Sequence, residues 1–386
     1  MSTYYWDVND LLNERNKLVE MYNNEEDIFK KSYYLKFIGI LDNFNLVYNT
    51  NAKCTTTINN KIFEAANEKT AYKGVDYVIK DFYYSLLPLR DKFNEIQDML
   101  YIILGDDYDF TEKLNLKMSD DESITKMIEF YKQLDPTLFK YLKPNLEDIE
   151  HHLNFIDGTI EDENKISTDG NCLYIGGVDK NYISVVRDND SITKYFNLIH
   201  EFGHAIGNSM NPLYSFQERL TVLGEAPSIF PEMLSLTLNK INIPEVQRLH
   251  MIFSTLLTYF HTASYLCTQD LIIDTWEDNK YKVDSCFYKK LKDEYGISRS
   301  VLKTALDYSI SSSSDYIIGY SITCELLYIY KQDPKKALKI FKQILKMNYY
   351  EDDLAFVSNL INLNEHLREV NEEFVDNYSL VLKGML

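Results

Sequence analysis

The chain has few residues that end or bend secondary structure. Its 386 residues include 13 glycines and 8 prolines, or 21 in all, which is under half of their usual share of roughly 12%. Because Gly and Pro supply most tight turns, such a chain has little capacity for the frequent reversals of a many-stranded sandwich. The sequence therefore predicts a mainly α fold with long helices.

Apolar residues recur every three or four positions along much of the chain, as in helices that bury one face. This spacing predicts helices over residues 8–22, 76–104, 123–134, 147–155, 190–206, 218–239, 244–274, 298–308, 315–331 and 333–347. Two short runs differ from this pattern because they are rich in β-branched and aromatic residues. These runs, Asn171-Cys-Leu-Tyr-Ile-Gly-Gly and Asn181-Tyr-Ile-Ser-Val-Val, predict two strands of a small sheet.

The length of the chain exceeds what one apolar core usually covers, since single cores stop growing at about 250–300 residues. We therefore expect two lobes. The N-terminal helical lobe would span residues 1–165, and the second lobe would span residues 166–386 and include the C-terminal helices. The change from helical to strand-like patterning near residue 170 places the boundary between them.

The charge balance restricts the partners of the chain. With 40 basic and 59 acidic residues, its formal net charge is −19, so it would repel phosphate backbones and anionic lipid surfaces. We expect neither nucleic acid nor a membrane as a partner. The uncharged stretch over residues 251–269 contains several Ser and Thr residues, one His and one Gln, and it therefore predicts a buried core helix rather than a membrane span.

The cysteines indicate a reducing compartment. Five are scattered along the chain without a C-x-x-C pair, which fits neither a disulfide framework nor a cysteine-based zinc site. The first residues also lack the basic and apolar regions of a secretory signal. We therefore expect a cytoplasmic protein. The sequence gives no indication of the oligomeric state.

The motif His200-Glu201-x-x-His204 carries the chemistry. Residues four apart on a helix lie on one face, so both imidazoles can reach a single ion. Zinc suits this arrangement, because catalytic zinc sites use three protein ligands and keep a fourth position for water. Glu201 could take a proton from that water and pass it to a leaving amine. The motif therefore predicts one Zn²⁺ per chain and hydrolytic chemistry.

Two buried core histidines beside a surface Glu would be the structural alternative. With 7 His and 59 acidic residues in the chain, chance produces such a motif roughly 0.02 times per sequence. In addition, Gly203 lies inside the predicted helix, where Gly costs about 0.5–1 kcal/mol relative to Ala. Close approach of another helix or of a ligand would explain why this position lacks a side chain.

A third zinc ligand has to come from downstream. The available carboxylates are Glu218, Glu225 and Glu232, which are spaced by seven residues. A continuous helix would place all three on one face, so spacing alone leaves the choice among them open.

A resemblance to a known family distinguishes among these carboxylates. The segment Gly224-Glu-Ala-Pro-Ser-Ile-Phe-Pro-Glu232 resembles the second signature of the thimet oligopeptidase and oligoendopeptidase F family of zinc peptidases. The form His-Glu-Phe-Gly-His-Ala of the first motif is also typical of that family. The resemblance covers roughly residues 170–330 of this shorter chain. It implies a two-lobed helical, zincin-like metallopeptidase with a small sheet next to the zinc helix.

The resemblance also implies roles for individual residues. The implied zinc ligands are His200, His204 and Glu225. Glu201 would be the general base and proton shuttle, and Glu232 would orient a ligand imidazole from behind. In the family, tyrosines from a C-terminal segment stabilise the oxyanion of the intermediate. The segment Asp315-Tyr-Ile-Ile-Gly-Tyr-Ser-Ile-Thr323 is similar to it, and its candidates are Tyr320, at the best-matching position, and Tyr316.

The strand that precedes the zinc motif has two possible roles. Residues 181–186 alternate between two faces, as in a half-buried strand. An edge strand at this position could pair with an extended peptide and lay its carbonyl over the metal. A purely structural hairpin is the competing interpretation.

These features together predict a zinc metalloendopeptidase of the oligopeptidase type, which hydrolyses short peptides. Two alternatives remain, because the chain is shorter than typical family members and lacks a histidine upstream of the tyrosine-rich segment. The first is a dedicated processing peptidase for one precursor or leader peptide. The second is a relative that binds peptide or zinc without hydrolysis. Because the chain is strongly acidic, we expect neutral or basic peptides to be preferred.

Overall fold

The structure is a computed structural model of the chain. It describes residues 8–47, 57–71, 74–105, 114, 116–157, 170–175, 180–187, 191–211, 223–347 and 353–386. The first helices are α1 (Val8–Asn24), α2 (Ile28–Val47), α3 (Ile58–Ala71), α4 (Val75–Leu86), α5 (Arg90–Leu104), α6 (Asp120–Leu134), α7 (Pro136–Glu147) and the single turn α8 (Ile149–His152). Three strands follow: β1 (Leu153–Asp157), β2 (Gly170–Ile175) and β3 (Lys180–Arg187).

The second half of the described chain is helical. Its helices are α9 (Thr193–Met210), α10 (Ala226–Leu238), α11 (Glu245–Asp278), α12 (Ser285–Tyr295), α13 (Arg299–Ala305), α14 (Ile310–Gln332), α15 (Pro334–Leu345), α16 (Asp353–Ser358) and α17 (Leu367–Lys383). The predicted mainly α fold with a small sheet is therefore confirmed.

Helix boundaries follow from local chemistry. Asp333 caps α15, where its carboxylate accepts a hydrogen bond from the backbone N–H of Lys336 at 3.1 Å, and Pro334 occupies the first turn. Pro88 lies in a 3₁₀ turn, Leu87–Leu89, that separates α4 from α5, because proline cannot donate the helical hydrogen bond. Gly105 ends α5 with a φ of 74°, a conformation that glycine adopts without a side-chain clash.

The sheet corrects two expectations. Its strand order is β1-β3-β2, with β1 parallel and β2 antiparallel to β3. The helix predicted over residues 147–155 is wrong from Leu153 onward, because Leu153 pairs with Ile183 in the sheet. Of the two roles left open for residues 181–186, pairing with a peptide as an edge strand is wrong, since β3 lies between β1 and β2 in the sheet of the described residues.

Most buried apolar side chains belong to one large cluster that extends from Val75 to Leu382. It draws on α4–α7 as well as on α9–α11 and α14–α17. The cluster therefore crosses the predicted boundary at residue 165, and the division into lobes 1–165 and 166–386 stays a prediction. Two smaller clusters hold α3 against α11–α13 and the α1–α2 hairpin against the sheet.

The uncharged stretch over residues 251–269 lies within α11. In this helix Leu256, Phe260 and Ala263 are buried in the large cluster, as the prediction of a core helix requires. None of the helices in the described part of the chain is both long and apolar enough to cross a membrane.

Helix α9, which carries the His200-Glu201-x-x-His204 motif, is central to the packing. One side of α9 lies against β2 and β3, and another side packs on α10. Helix α14 packs on α10 in turn. Residues from α9, from the start of α10 and from α14 can therefore meet at one point.

Candidate metal centre

The two motif histidines lie side by side on α9. Their ring centroids are 5.0 Å apart, with an angle of 73° between the ring planes. The helix holds them there because Ile199, Phe202 and Ala205 are buried on its core side. Both imidazoles are largely shielded, with 17% and 21% of the His200 and His204 side chains exposed. The helical spacing thus directs both rings to the same side.

Gly203 lets α10 approach α9 between the two histidines. A Cβ atom at this position would overlap the carbonyl oxygen of Pro227 and would lie 2.7 Å from Cα of Ser228. Both contacts involve main-chain atoms, which cannot move aside cheaply. The glycine inside the helix is therefore explained by close approach of another helix.

This approach brings Glu225, directly before α10, onto the histidines. Its Oε2 lies 3.2 Å from Nε2 of His200 and 3.4 Å from Nε2 of His204. The Ser228 hydroxyl donates to the same oxygen at 3.0 Å. Helix α14 also packs closely on Glu225, because a Cβ on Gly319 of α14 would lie 3.0 Å from the Glu225 carbonyl carbon.

Glu232 lies on the far side of the first imidazole. Its Oε2 is 2.8 Å from Nδ1 of His200, whereas Nε2 of the same ring faces Glu225. A hydrogen bond to Nδ1 fixes the ring orientation and leaves Nε2 for a metal. Pro231, one residue earlier, lies inside α10 without preventing this contact. Glu218, the remaining candidate for the third zinc ligand, lies outside the described residues.

The electrostatics of the cluster follow from burial and pairing. Burial lowers the pKa of His200, but its hydrogen bonds with Glu225 and Glu232 outweigh this effect and hold the pKa well above its usual value. Burial raises the pKa of Glu225, yet the neighbouring His204 and His200 imidazoles bring it well below its usual range. Glu225 is therefore a carboxylate, the form that binds metal.

Glu201 lies on α9 against strand β2. Its side chain is buried, with the residue 5% exposed, and its Oε2 has no hydrogen-bond partner among the described residues. Burial raises the pKa of this carboxyl, while the nearby His204 and His200 act to lower it. Glu201 is therefore a strongly desolvated acid–base group next to the cluster, which is a property of functional carboxyls.

The two candidate tyrosines lie in different environments. Tyr316 is 40% exposed, and burial of its hydroxyl together with the nearby Glu225 and Glu201 charges raises its pKa. Tyr320 is fully buried, and its hydroxyl donates to Asn371 of α17 at 2.7 Å. The structure thus brings Tyr316, rather than the better-matching Tyr320, to the cluster.

Sequence reasoning missed two further residues. Tyr259 of α11 stacks on Tyr316 with ring centroids 6.2 Å apart, and burial together with Glu232 and Glu225 raises its pKa. Asp315 of α14 is largely buried, and this burial, with the neighbouring Glu225 and Asp353 charges, raises its pKa to about 8. Tyr259 belongs to no recognisable motif, and Asp315 begins the tyrosine-rich segment without a role implied for it. Tertiary packing brings both residues to the site.

The donor set fits a zinc ion. Among the described His, Cys, Asp and Glu residues, His200, His204 and Glu225 form a group whose ligand atoms all lie within 4.8 Å of one another. Two imidazole nitrogens and one carboxylate oxygen are a common ligand set of catalytic zinc. The bond from Glu232 to the back of His200 supplies the orienting contact that such ligands usually have.

Comparisons with known proteins agree with this fold. No protein-family model and no curated protein matches the sequence. Two solved structures match the fold. One is a protein provisionally named oligoendopeptidase F from Bacillus anthracis strain Ames, with 14% sequence identity and a TM-score of 0.51. The other is also provisionally named oligoendopeptidase F, with 13% sequence identity and a TM-score of 0.55. Both alignments cover 99% of this chain, and they cover 76% and 77% of the respective neighbour. At this identity the similarity establishes the shared fold.

Proposed function

We propose that the chain is a zinc-dependent peptidase that hydrolyses short peptides. The observation that carries the proposal is the convergence of His200, His204 and Glu225, with their ligand atoms within 4.8 Å, directly beside the buried carboxyl of Glu201. The oligoendopeptidase F name of the two structural neighbours supports the same class of reaction. We propose one zinc ion per chain, held by these three ligands.

Each side chain of the cluster has a separate task in this proposal. A bound Zn²⁺ would polarise the peptide carbonyl and lower the pKa of water at the site. Glu201 takes the proton of the attacking water and delivers it to the amine that leaves when the C–N bond breaks. Its desolvation favours this role, because burial brings its pKa closer to neutrality. Glu232 holds the His200 ring in place from behind.

Tyr316 is the proposed donor to the developing oxyanion. Its hydroxyl is close to Glu225, its ring is partly exposed, and its raised pKa keeps the hydroxyl protonated and able to donate. Such a donor stabilises the charge that forms on the carbonyl oxygen in the transition state. Tyr320, assigned this role from the sequence resemblance, already donates to Asn371.

The deciding experiment compares the wild type with Glu201→Gln on a fluorogenic peptide library, with and without a chelator. Glutamine keeps the size of the side chain but cannot accept the proton. We expect the rate to fall by about 10³-fold or more, while bound zinc stays near one per chain. The chelator should abolish wild-type turnover, and added zinc should restore it.

The same assay separates the alternatives. Cleavage of many library peptides supports a general oligopeptidase. Cleavage of one bond in a single precursor, with an inactive library, indicates a dedicated processing enzyme. Turnover that survives Glu201→Gln would refute the role of Glu201, and a zinc-loaded wild type that cleaves nothing would favour a binding protein.

A further inference from the structure

Gly170, the first residue of β2, lies against the side chain of Glu201. A Cβ atom at this position would lie 2.5 Å from Oε1, 2.8 Å from Cγ and 2.9 Å from Cδ of Glu201. The strand main chain therefore touches the carboxyl directly. At Gly203 and Gly319, by contrast, a Cβ would first meet main-chain atoms of a neighbouring segment.

The backbone conformation does not explain this glycine. Among the described residues, the glycines with positive φ are Gly74, Gly105 and Gly296, and Gly170 is not one of them. Its φ is thus accessible to other residues. The requirement at this position is space, and the space is filled by Glu201.

Packing rather than hydrogen bonding holds one oxygen of the Glu201 carboxyl. Its Oε2 has no hydrogen-bond partner among the described residues, and the residue is 5% exposed. The surfaces that enclose this oxygen therefore orient it. One of these surfaces is α9 itself, and another is the main chain of β2 at Gly170.

The strand is firmly attached to the helix that carries the carboxyl. Gly170 pairs with Val185 of β3 in the antiparallel ladder. Helix α9 is also bonded to the sheet through Asn208. Its side chain donates a hydrogen bond to Asn181 of β3 at 3.1 Å and a weaker one to Cys172 of β2. The wall formed by β2 is therefore fixed relative to Glu201.

We propose that Gly170 is a positioning residue for the general base. Because it has no side chain, β2 closes on the Glu201 carboxyl and holds it in the orientation needed to accept a proton from the attacking water. This inference rests on the proposed peptidase function. It predicts that even a methyl group at position 170 displaces the carboxyl.

The test is Gly170→Ala in the full-length, zinc-loaded chain. The atoms that the new methyl group meets belong to a side chain, so the fold can adapt when Glu201 turns away. We expect the thermal midpoint to change by no more than about 2 °C and zinc to stay near one per chain. The kcat should fall on the order of 100-fold, as for a misplacement of about 1 Å, with KM little changed. Gly39→Ala is the control, because nothing lies within 4 Å of a Cβ there.

Two further measurements distinguish positioning from a structural role. A crystal structure of Gly170→Ala should show the Glu201 carboxyl rotated away from β2, a result that does not depend on activity. In addition, the shorter Glu201→Asp side chain leaves room for the methyl group. The double variant, Gly170→Ala with Glu201→Asp, should therefore have a kcat no more than about twofold below that of Glu201→Asp alone. If the two substitutions acted independently, its kcat would fall by about a further 100-fold.

The outcomes are separable. A wild type that binds zinc but cleaves no peptide refutes the proposed function. If the wild type is active, a kcat of Gly170→Ala within twofold of the wild-type value refutes the inference alone. An unmoved Glu201 carboxyl in the Gly170→Ala crystal structure does so too. Loss of zinc or of the fold in Gly170→Ala also refutes it, because the residue would then be structural.

Discussion

Around the candidate metal centre, main chain packs on main chain. Gly203 of α9 meets Pro227 and Ser228, and Gly319 of α14 meets Glu225. The N-terminal hairpin of α1 and α2 is held differently, because it meets the sheet through side chains.

In the hairpin, a small apolar cluster joins Leu11, Leu18 and Phe37 to Tyr174 and Tyr182 of the sheet. The Glu14 carboxylate adds hydrogen bonds from Lys17 at 2.9 Å, Lys180 at 3.2 Å and the Tyr182 hydroxyl at 3.1 Å. Side chains can shift to absorb a substitution, whereas main-chain contacts cannot. We therefore expect substitutions at the metal centre to have large effects and those at the hairpin to have small ones.

Gly203→Ala should have the largest effect. The methyl group would clash with the main chain of Pro227 and Ser228, so α9 and α10 have to move apart and Glu225 leaves the histidines. We expect a destabilisation of about 3 kcal/mol and loss of zinc binding, measured by chemical denaturation and metal analysis. Gly39→Ala, with open space around it, should keep its zinc. Unchanged zinc affinity in Gly203→Ala would contradict the close helix contact.

Tyr316→Phe and Tyr320→Phe test the two tyrosines on one helix. Removal of an oxyanion donor typically lowers kcat by about 10²–10³-fold, and we expect this loss for Tyr316→Phe with little change in stability. Tyr320→Phe should leave kcat almost unchanged but cost about 1–2 kcal/mol of stability, because Asn371 loses a buried partner. Steady-state kinetics and thermal unfolding of both variants separate these effects. A large loss of kcat in Tyr320→Phe and none in Tyr316→Phe would indicate that Tyr320 is the oxyanion donor.

Glu14→Gln should have the smallest effect. Burial raises the pKa of Glu14, but Lys17 and Lys180 outweigh it, so the pKa is lowered on folding. A lowered pKa stabilises the fold above the unfolded-state value near 4.5, and this contribution is lost as the pH falls through the folded-state pKa. We expect Glu14→Gln to cost about 1 kcal/mol at pH 7, and this cost should shrink as the pH falls through the folded-state pKa, by urea unfolding. Glu20→Gln, exposed on the same helix, is the control. A difference that does not shrink as the pH falls below 4.5 would contradict the ion-pair explanation.

Local patterns predicted the parts of the fold and site that depend on neighbouring residues. The helical character follows from three- and four-residue apolar spacing, and the face shared by His200 and His204 follows from helix geometry. The close approach at Gly203 could also be predicted, because a glycine inside a helix is unfavourable without a packing reason.

The remaining features depend on contacts distant in sequence. The first residues of strand β1 fall within a predicted helix, because a short apolar run is ambiguous until its partner β3, about thirty residues later, is known. The resemblance favours Tyr320 over Tyr316 by position alone, and it cannot show that Tyr320 is already bonded to Asn371, 51 residues away. Asp315 lies near the cluster because α14 packs on α10, a contact that the local sequence does not show.

The central claim is that His200, His204 and Glu225 together hold one zinc ion. Zinc bound by the full chain, measured after dialysis for the wild type and for Glu225→Ala, tests it most directly. We predict one zinc per chain in the wild type and its loss in Glu225→Ala, with the helical content unchanged by circular dichroism. A wild type that binds no zinc, or a Glu225→Ala variant that retains it with unchanged affinity, would contradict the claim.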